Sequence, residues 1–200
     1  MMSIPPSQGK LLYHLTHVDN LKGIFKNGLM PRNKLVEKAF TDTADQDIIE
    51  KRKNFYYMDL GNFIPFHFFV KNPYDGSVCR KYGSENMAII AIYRPRSDLS
   101  DGYFIIPQHP LNRNSKMFSY NEGFQKIKWD ILDNIFNRNY SDSDIKQACL
   151  AECDISRTIR KEDFAFIYVK TEEAKKKVLA FLSDKQTQQK IQVSPNMFCR

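Results

Sequence analysis

Five polar side chains lie on or beside strongly apolar segments, dispersed along the chain: His14, Thr16, Arg52, His109 and Glu152. A carboxylate in such a setting can stabilise a developing positive charge. An arginine stays cationic and clamps anions with a planar fork, whereas a histidine exchanges protons near neutrality or holds a hydrogen bond. The set has no metal-ligand spacing. The four cysteines, Cys79, Cys149, Cys153 and Cys199, form no CxxC pair, and no histidine follows at zinc-finger distance, so no metal is expected. The eight glycines form neither GxGxxG nor GxxxxGK[ST], and HExxH and GxSxG do not occur. Kinase, P-loop and Rossmann chemistries therefore lack their anchors.

These residues need elements to position them. Leu11–Thr16 alternates as a strand, with His14 and Thr16 on one face and Leu15 turned to the core. Asp19 is expected to cap a short helix with the apolar face Leu21, Ile24 and Phe25, which Gly28 ends. A second helix is expected over Thr41–Asn54, with basic Lys51, Arg52 and Lys53 in its last turn. Asn62–Val70 reads as a strand, and Pro65 inside it predicts an edge position or a bulge. Met87–Tyr93 and Tyr103–Ile106 are further strands, with a turn at Asp98–Gly102 between them. The stripe Phe124, Ile127, Ile131, Ile135 predicts a helix over Phe124–Asn137. Ser141–Leu150 is a short polar helix or loop, Ala151–Ile155 leads into a strand, and Phe164–Lys170 is another. Thr171 caps a helix over Glu172–Ser183, and Lys190–Ser194 is the final strand. The order lacks the βαβ rhythm of a doubly wound sheet, so the fold class is α+β.

Composition narrows the class. The 200 residues carry 30 Lys+Arg against 23 Asp+Glu, a formal charge of +7 that favours a phosphate-bearing or otherwise acidic partner. The apolar runs Phe63–Phe69 and Met87–Tyr93 fall far short of the roughly 20 residues that span a bilayer. Met1–Lys10 has no secretory apolar core and reads as a flexible tail (residues 1–10) before one domain over residues 11–200. Sparse thiols and no signal segment point to the cytoplasm, with no membrane partner.

A resemblance now becomes visible. Tyr13-His14-Leu15-Thr16-His17-Val18-Asp19-Asn20-Leu21, followed by Gly23-Ile24, resembles the opening of the DarT family of nucleic-acid ADP-ribosyltransferases. Ile49-Glu50-Lys51-Arg52 resembles that family's helix ending in a functional arginine. Asn62-Phe63-Ile64-Pro65-Phe66-His67-Phe68, with Asn72-Pro73, is similar to its aromatic strand. His109 follows a strand as the family's histidine does. Ala151-Glu152, with Phe166-Ile167-Tyr168-Val169 behind it, resembles its catalytic glutamate and the strand after it. Each motif alone is weak; five in one order across nearly the whole chain are specific.

The resemblance implies a single-domain ADP-ribosyltransferase-like fold, a split mixed or antiparallel sheet flanked by helices, with NAD as substrate and no metal. It implies catalytic roles for Glu152, Arg52 and His109. NAD would be held by His14, Leu15, Thr16, Asn20, Gly23, Arg52 and Phe66. Of these, His14 is open to a second reading as a satisfied core histidine, Asn20 as a helix cap, and Phe66 as core packing. The segment before Glu152 would read the acceptor nucleic acid through Arg138, Asn139, Tyr140 and Lys146, with Lys71 nearby; a polar surface helix would use the same residue types. Where the family commonly has tyrosine this chain has His67, and Lys71 stands in place of an arginine. The implied activity is transfer of ADP-ribose to a base in single-stranded DNA or RNA, thymidine being the best-known acceptor. The setting would be a toxin held by an antitoxin protein in antiphage defence. Two other classes remain. A protein-modifying ADP-ribosyltransferase often carries Glu or Gln two residues before its catalytic glutamate, where this chain has Leu150. A non-catalytic nucleic-acid-binding module would rest on charge and aromatics alone.

Overall fold

Six of the seven residues of the run 87–93 are buried, so its strand is covered on both faces. Ala88, Ile90 and Ile92 enter one apolar core while Met87 and Ile89 enter another, as a two-residue alternation requires. The computed structural model describes residues 4–35, 40–55, 58–136 and 138–199; residues 1–3 of the expected tail, Asn137 at the end of the expected long helix, and Arg200 lie outside the described residues. In chain order the elements are β1 (Leu11–His17), α1 (Leu21–Asn27), α2 (Gln46–Arg52), β2 (Ile64–His67) and α3 (Pro73–Tyr82). Then come β3 (Met87–Tyr93), β4 (Tyr103–Ile106), β5 (Phe118–Ser119), α4 (Tyr120–Lys126) and α5 (Trp129–Asp133). The chain finishes with α6 (Ser143–Ala148), β6 (Glu152–Ile155), β7 (Phe164–Val169), α7 (Glu172–Leu179), α8 (Lys185–Gln189) and β8 (Ile191–Val193).

Among the described residues one eight-stranded sheet runs β5-β4-β6-β2-β1-β3-β7-β8. Neighbours are antiparallel except β7 and β8. This is the expected mixed α+β architecture. On one face a large core holds Leu12, Phe66, Cys153 and Ile155 beneath α1, α4, α5 and α7; on the other, Leu15, Val78, Cys79 and Phe198 pack under α3 and the C-terminal segment. The ladder is continuous over seven pairs between β1 and β3, yet between β1 and β2 it holds only Tyr13 opposite His67. The sheet therefore opens at its centre.

That opening corrects the reading of Pro65. The strand is not at an edge: β2 lies between β6 and β1. The Pro65 carbonyl accepts from the His14 ring at 2.8 Å in place of a ladder partner, so the missing N–H faces the opening. Several other boundaries shift. The helix expected over Thr41–Asn54 begins at Gln46, because Asp45 accepts from the Asp47 N–H and caps it there. The long helix expected over Phe124–Asn137 is two: Ile127 is extended (ψ 135°), and the Trp129 indole N–H closes the break on the Phe124 carbonyl. Asp19 caps nothing; His17 accepts from the Asp19 N–H, and the Asp19 carboxylate pairs with Lys177 of α7 at 2.5 Å. Within the segment expected as a loose tail, Pro6–Gln8 form a 3-10 turn. There the Ser7 hydroxyl donates to Asp133 and Arg94 donates to the Pro6 carbonyl.

Candidate active site

The cavity that opens at the sheet's centre has a volume of about 1340 Å³. Its walls include His14, Leu15 and Thr16 of β1, Asn20 and Gly23 at α1, Arg52 of α2, and Glu152 of β6. The fold thus gathers into one place residues up to 138 positions apart in sequence (152 minus 14).

Glu152 is 6% exposed and begins β6, opposite His67 of β2 on one side and Ile106 of β4 on the other. Arg52, the last residue of α2, reaches it with one guanidinium nitrogen: Nη1 donates to both carboxylate oxygens, at 3.0 and 2.9 Å. Burial alone would weaken the Arg52 charge. The Glu152 and Asp154 carboxylates outweigh it and hold the guanidinium more firmly protonated than usual. Arg52 is therefore a fixed cation, suited to orienting carboxylates and phosphates and unsuited to abstracting protons.

Three imidazoles surround this pair, all driven toward the neutral form chiefly by burial. His14 is lowered to about 4, and His67 and His109 are lowered from the ordinary histidine value. The Nδ1 of His14 lies 2.8 Å from the Pro65 carbonyl and that of His67 lies 3.1 Å from the Ala151 carbonyl. A carbonyl only accepts, so each neutral ring carries its proton on Nδ1 and leaves Nε2 as an acceptor. His109 is the reverse. Its Nδ1 accepts from the Leu111 N–H, leaving Nε2–H as a donor. Its backbone N–H donates to the Gln147 carbonyl, fixing the post-β4 loop against α6.

Thr16 and Asn20 form a second cluster. Asn20 Nδ2 donates to Thr16 Oγ1 and to the Thr41 carbonyl, and its Oδ1 accepts from the Thr41 N–H. Asn20 is thus a strut that holds the segment after residue 40 along the cavity wall; it makes no capping bond with its side chain. Gly23 faces open space, where an added Cβ would meet nothing within 4 Å.

The expected nucleic-acid residues divide. Lys71, Tyr140 and Lys146 line the cavity, with the Tyr140 hydroxyl donating to the Lys71 carbonyl. Lys71 itself holds a left-handed backbone (φ 60°), an uncommon conformation for a side-chain-bearing residue. Arg138 does not face the cavity; its guanidinium lies 4.0 Å from the Phe69 ring centroid and donates to the Leu132 carbonyl. Asn139 caps a local turn by accepting from the Ser141 N–H. Phe66 is wholly buried in the main core and meets the site only through the His14 ring, 5.5 Å away. Packing claims it, since its strand neighbours Ile64 and Phe68 turn the same way.

Sequence reasoning missed Asp154, Tyr74 and the full setting of His67. Asp154 is fully buried, two residues beyond Glu152 on the same strand face, and Arg52 Nη2 lies 3.8 Å from it. Tyr74, in the first turn of α3, stacks 5.8 Å from His67 and has a hydroxyl pushed up to about 12, mainly by burial. The alternation Glu152-x-Asp154 was the available signal. Among the described residues no group of three or more His, Cys, Asp or Glu is arranged to hold a metal ion. No helix among them is long and apolar enough to cross a membrane.

The central sheet opening is thus lined by a strand histidine and threonine, with an arginine-clasped glutamate among its walls. The profile of the family described as ssDNA thymidine ADP-ribosyltransferase, DarT, matches residues 13–199. The chain belongs to that family. Its fold is similar to Thermus sp. 2.9 DarT in complex with ADP-ribosylated ssDNA (TM-score 0.79, 18% identity, 95% of this chain and 96% of that one). The NAD+ complex of that protein gives a TM-score of 0.74 at 17% identity, with 100% of both chains covered. Thermosipho africanus DarTG in complex with ADP-ribose gives 0.78 at 19% identity over 95% of this chain, which spans 51% of that longer one. Among curated proteins, sequence comparison finds no match.

Proposed function

We propose that this chain transfers ADP-ribose from NAD to the base of a thymidine in single-stranded DNA, with Glu152 as the catalytic carboxylate. The observation that carries the reading is the clasp of Glu152 by Arg52 on the floor of a cavity whose wall is His14 and Thr16. In the reaction the glycosidic bond between the ribose C1′ and nicotinamide breaks, and nicotinamide keeps the electron pair. A base nitrogen forms the new bond to C1′, and its proton is released to solvent. Positive charge grows on the ribose as nicotinamide departs, and a carboxylate held in a site with little water stabilises it. Glu152 supplies that charge, and the Arg52 clasp holds it at the cavity wall until the donor is bound.

His14 offers Nε2 as an acceptor for an amide N–H of the nicotinamide carboxamide, while the neighbouring Thr16 hydroxyl binds the donor's ribose. His109 offers its Nε2–H to the acceptor base or to Glu152. The acceptor enters past Tyr140, Lys146 and Lys71, which supply a stacking ring and two cations. A base must leave its stack to be attacked, which favours single strands. By the family resemblance the enzyme works as a toxin beside an antitoxin protein in the bacterial cytoplasm, in defence against phage.

The test is incubation with NAD labelled in its adenylate and three polymers: a thymidine-containing DNA strand, the same strand without thymidine, and RNA. Label on the first alone, abolished by Glu152→Ala, is the expected result. Label on protein, or on RNA in preference to DNA, overturns the acceptor assignment.

A further inference from the structure

Beside the Arg52–Glu152 clasp lie polar atoms that are buried and make no hydrogen bond: Nη2 of Arg52 and both carboxylate oxygens of Asp154. Nη2 and Asp154 Oδ1 face each other at 3.8 Å. A charge-assisted N–H···O bond is about 2.7–2.9 Å long, so the pair stands roughly 1 Å short of closing. Unpaired groups of this kind are rare in a folded interior, and two aimed at each other are complementary. The position is also otherwise apolar in character: the β-ladder sets Asp154 between Pro65 and Phe104, and it is wholly enclosed.

The catalytic reading creates a difficulty that Asp154 resolves. Arg52 Nη1 takes one lone pair of each Glu152 oxygen, so a Glu152 that turns toward a ribose stretches or gives up one of those two bonds. A guanidinium that loses its counter-charge inside the protein is strongly unfavourable. We propose that Asp154 is a positioning residue, the second seat of Arg52, which receives the guanidinium when the Glu152 carboxylate turns to the donor ribose. This rests on the role given to Glu152 above. The motion is small: Nη2 advances by roughly the 1 Å it lacks, and Glu152 gains a free oxygen without leaving Arg52 unpaired.

The electrostatics agree. Burial first, then the Glu152 charge, raises the Asp154 carboxyl to about 8, while Arg52 works in the opposite direction. Below about pH 8 the acid keeps its proton while Arg52 rests on Glu152; above it the proton has gone to solvent and the carboxylate is ready to receive the guanidinium. The ionisable groups that act on it are Arg52 of α2 and Glu152 and Cys153 of β6; His67 of β2, Tyr74 of α3 and His109 beyond β4 act on the Arg52–Glu152 pair. Burial lowers the two histidines and raises Tyr74 to about 12. Burial also raises the Cys153 thiol well above its ordinary value. Asp154, raised to about 8, is therefore a group of this cluster whose charge changes near neutral pH.

The experiment compares wild type, Asp154→Asn and Asp154→Leu by thermal melting and by steady-state transfer from NAD to a thymidine-containing DNA strand, from pH 6 to pH 9.5. Glu152→Gln is run in parallel. Both Asp154 variants should melt at or above the wild-type temperature, with KM for NAD within about twofold and kcat lowered by about tenfold or more. The wild-type kcat should rise between about pH 7 and 9, and that rise should vanish in both variants. Wild-type kcat and an unchanged pH profile in either variant overturn the inference, as does a wild-type profile with no alkaline rise. If Glu152→Gln keeps its activity, the reading of Glu152 fails; if it is inactive while Asp154→Asn behaves as wild type, only the second seat fails.

Discussion

Glu152→Gln separates the chemistry of this site from its contribution to stability. The amide preserves the shape of the side chain and leaves one oxygen for Arg52 Nη1, but the charge is gone. Removing one partner of a buried ion pair ordinarily costs about 3–5 kcal/mol, because the other charge is stranded. Here a second carboxyl waits 3.8 Å from the same guanidinium. Loss of the Glu152 charge removes one of the two influences that hold Asp154 protonated, so Asp154 ionises and takes over as counter-ion. The stability loss should then shrink to about 1–2 kcal/mol, the scale of a single charged hydrogen bond. For a domain of this size that is a melting decrease of about 2–8 °C. Activity should fall far more. A carboxylate about 4 Å from a developing positive charge contributes about 4 kcal/mol at an effective permittivity near 20. Losing it slows kcat by about a thousandfold. The assays are melting by circular dichroism and label transfer to thymidine DNA at saturating NAD. A kcat within tenfold of wild type refutes the placement of Glu152; a melting decrease beyond about 12 °C refutes the takeover by Asp154.

Phe66→Leu should keep KM for NAD unchanged, whereas Phe66→Ala should cost about 3–5 kcal/mol of stability; a rise in KM in the leucine variant would restore a stacking role. Asn20→Ala removes bonds to Thr16 and to both backbone groups of Thr41. It should lower stability by about 2 kcal/mol and raise KM for NAD more than it lowers kcat, read by melting and steady-state kinetics. Asp75 is buried and its carboxyl is raised from 3.8 to about 7, chiefly by that burial. The folded state thus holds a proton that the unfolded chain has released, and wild-type stability is lost relative to Asp75→Asn as pH rises from about 4 to about 7. Denaturant melts across that interval should show the gap moving in favour of the asparagine variant and levelling above it; a constant gap would contradict the shift.

The site was legible where its residues sit on strongly patterned strands. β1 carries His14 and Thr16 at alternate positions on an apolar segment, and Glu152 opens a strand with a matching partner behind it. Legibility failed where tertiary contact decides. Helix α3 carries its own signals, Asn72 at the cap, Pro73 in the first turn, basic Arg80 and Lys81 in the last and Gly83 after it. Read from the preceding strand, Asn72-Pro73 looked only like a stop. The stripe Phe124, Ile127, Ile131 suits one helix or two, and the choice falls to the extended Ile127 and the Trp129 indole bond, neither of which has a local sequence mark. Arg138 looked like a nucleic-acid contact because its type suits phosphate; an aromatic ring in the core turned out to be its partner. The pairing of Arg52 with both Glu152 and Asp154 joins residues about a hundred positions apart, beyond the reach of any periodicity.

The proline on the inner strand has a lasting effect on the shape of the molecule. A backbone that met β1 with a full set of donors would tend to zip the two halves of the sheet together and close the chamber between them. Pro65 has no hydrogen to offer there, and its carbonyl is already committed to His14. The gap thus owes part of its shape to the covalent chemistry of one residue, and replacing that ring with alanine would give the two halves a reason to seal.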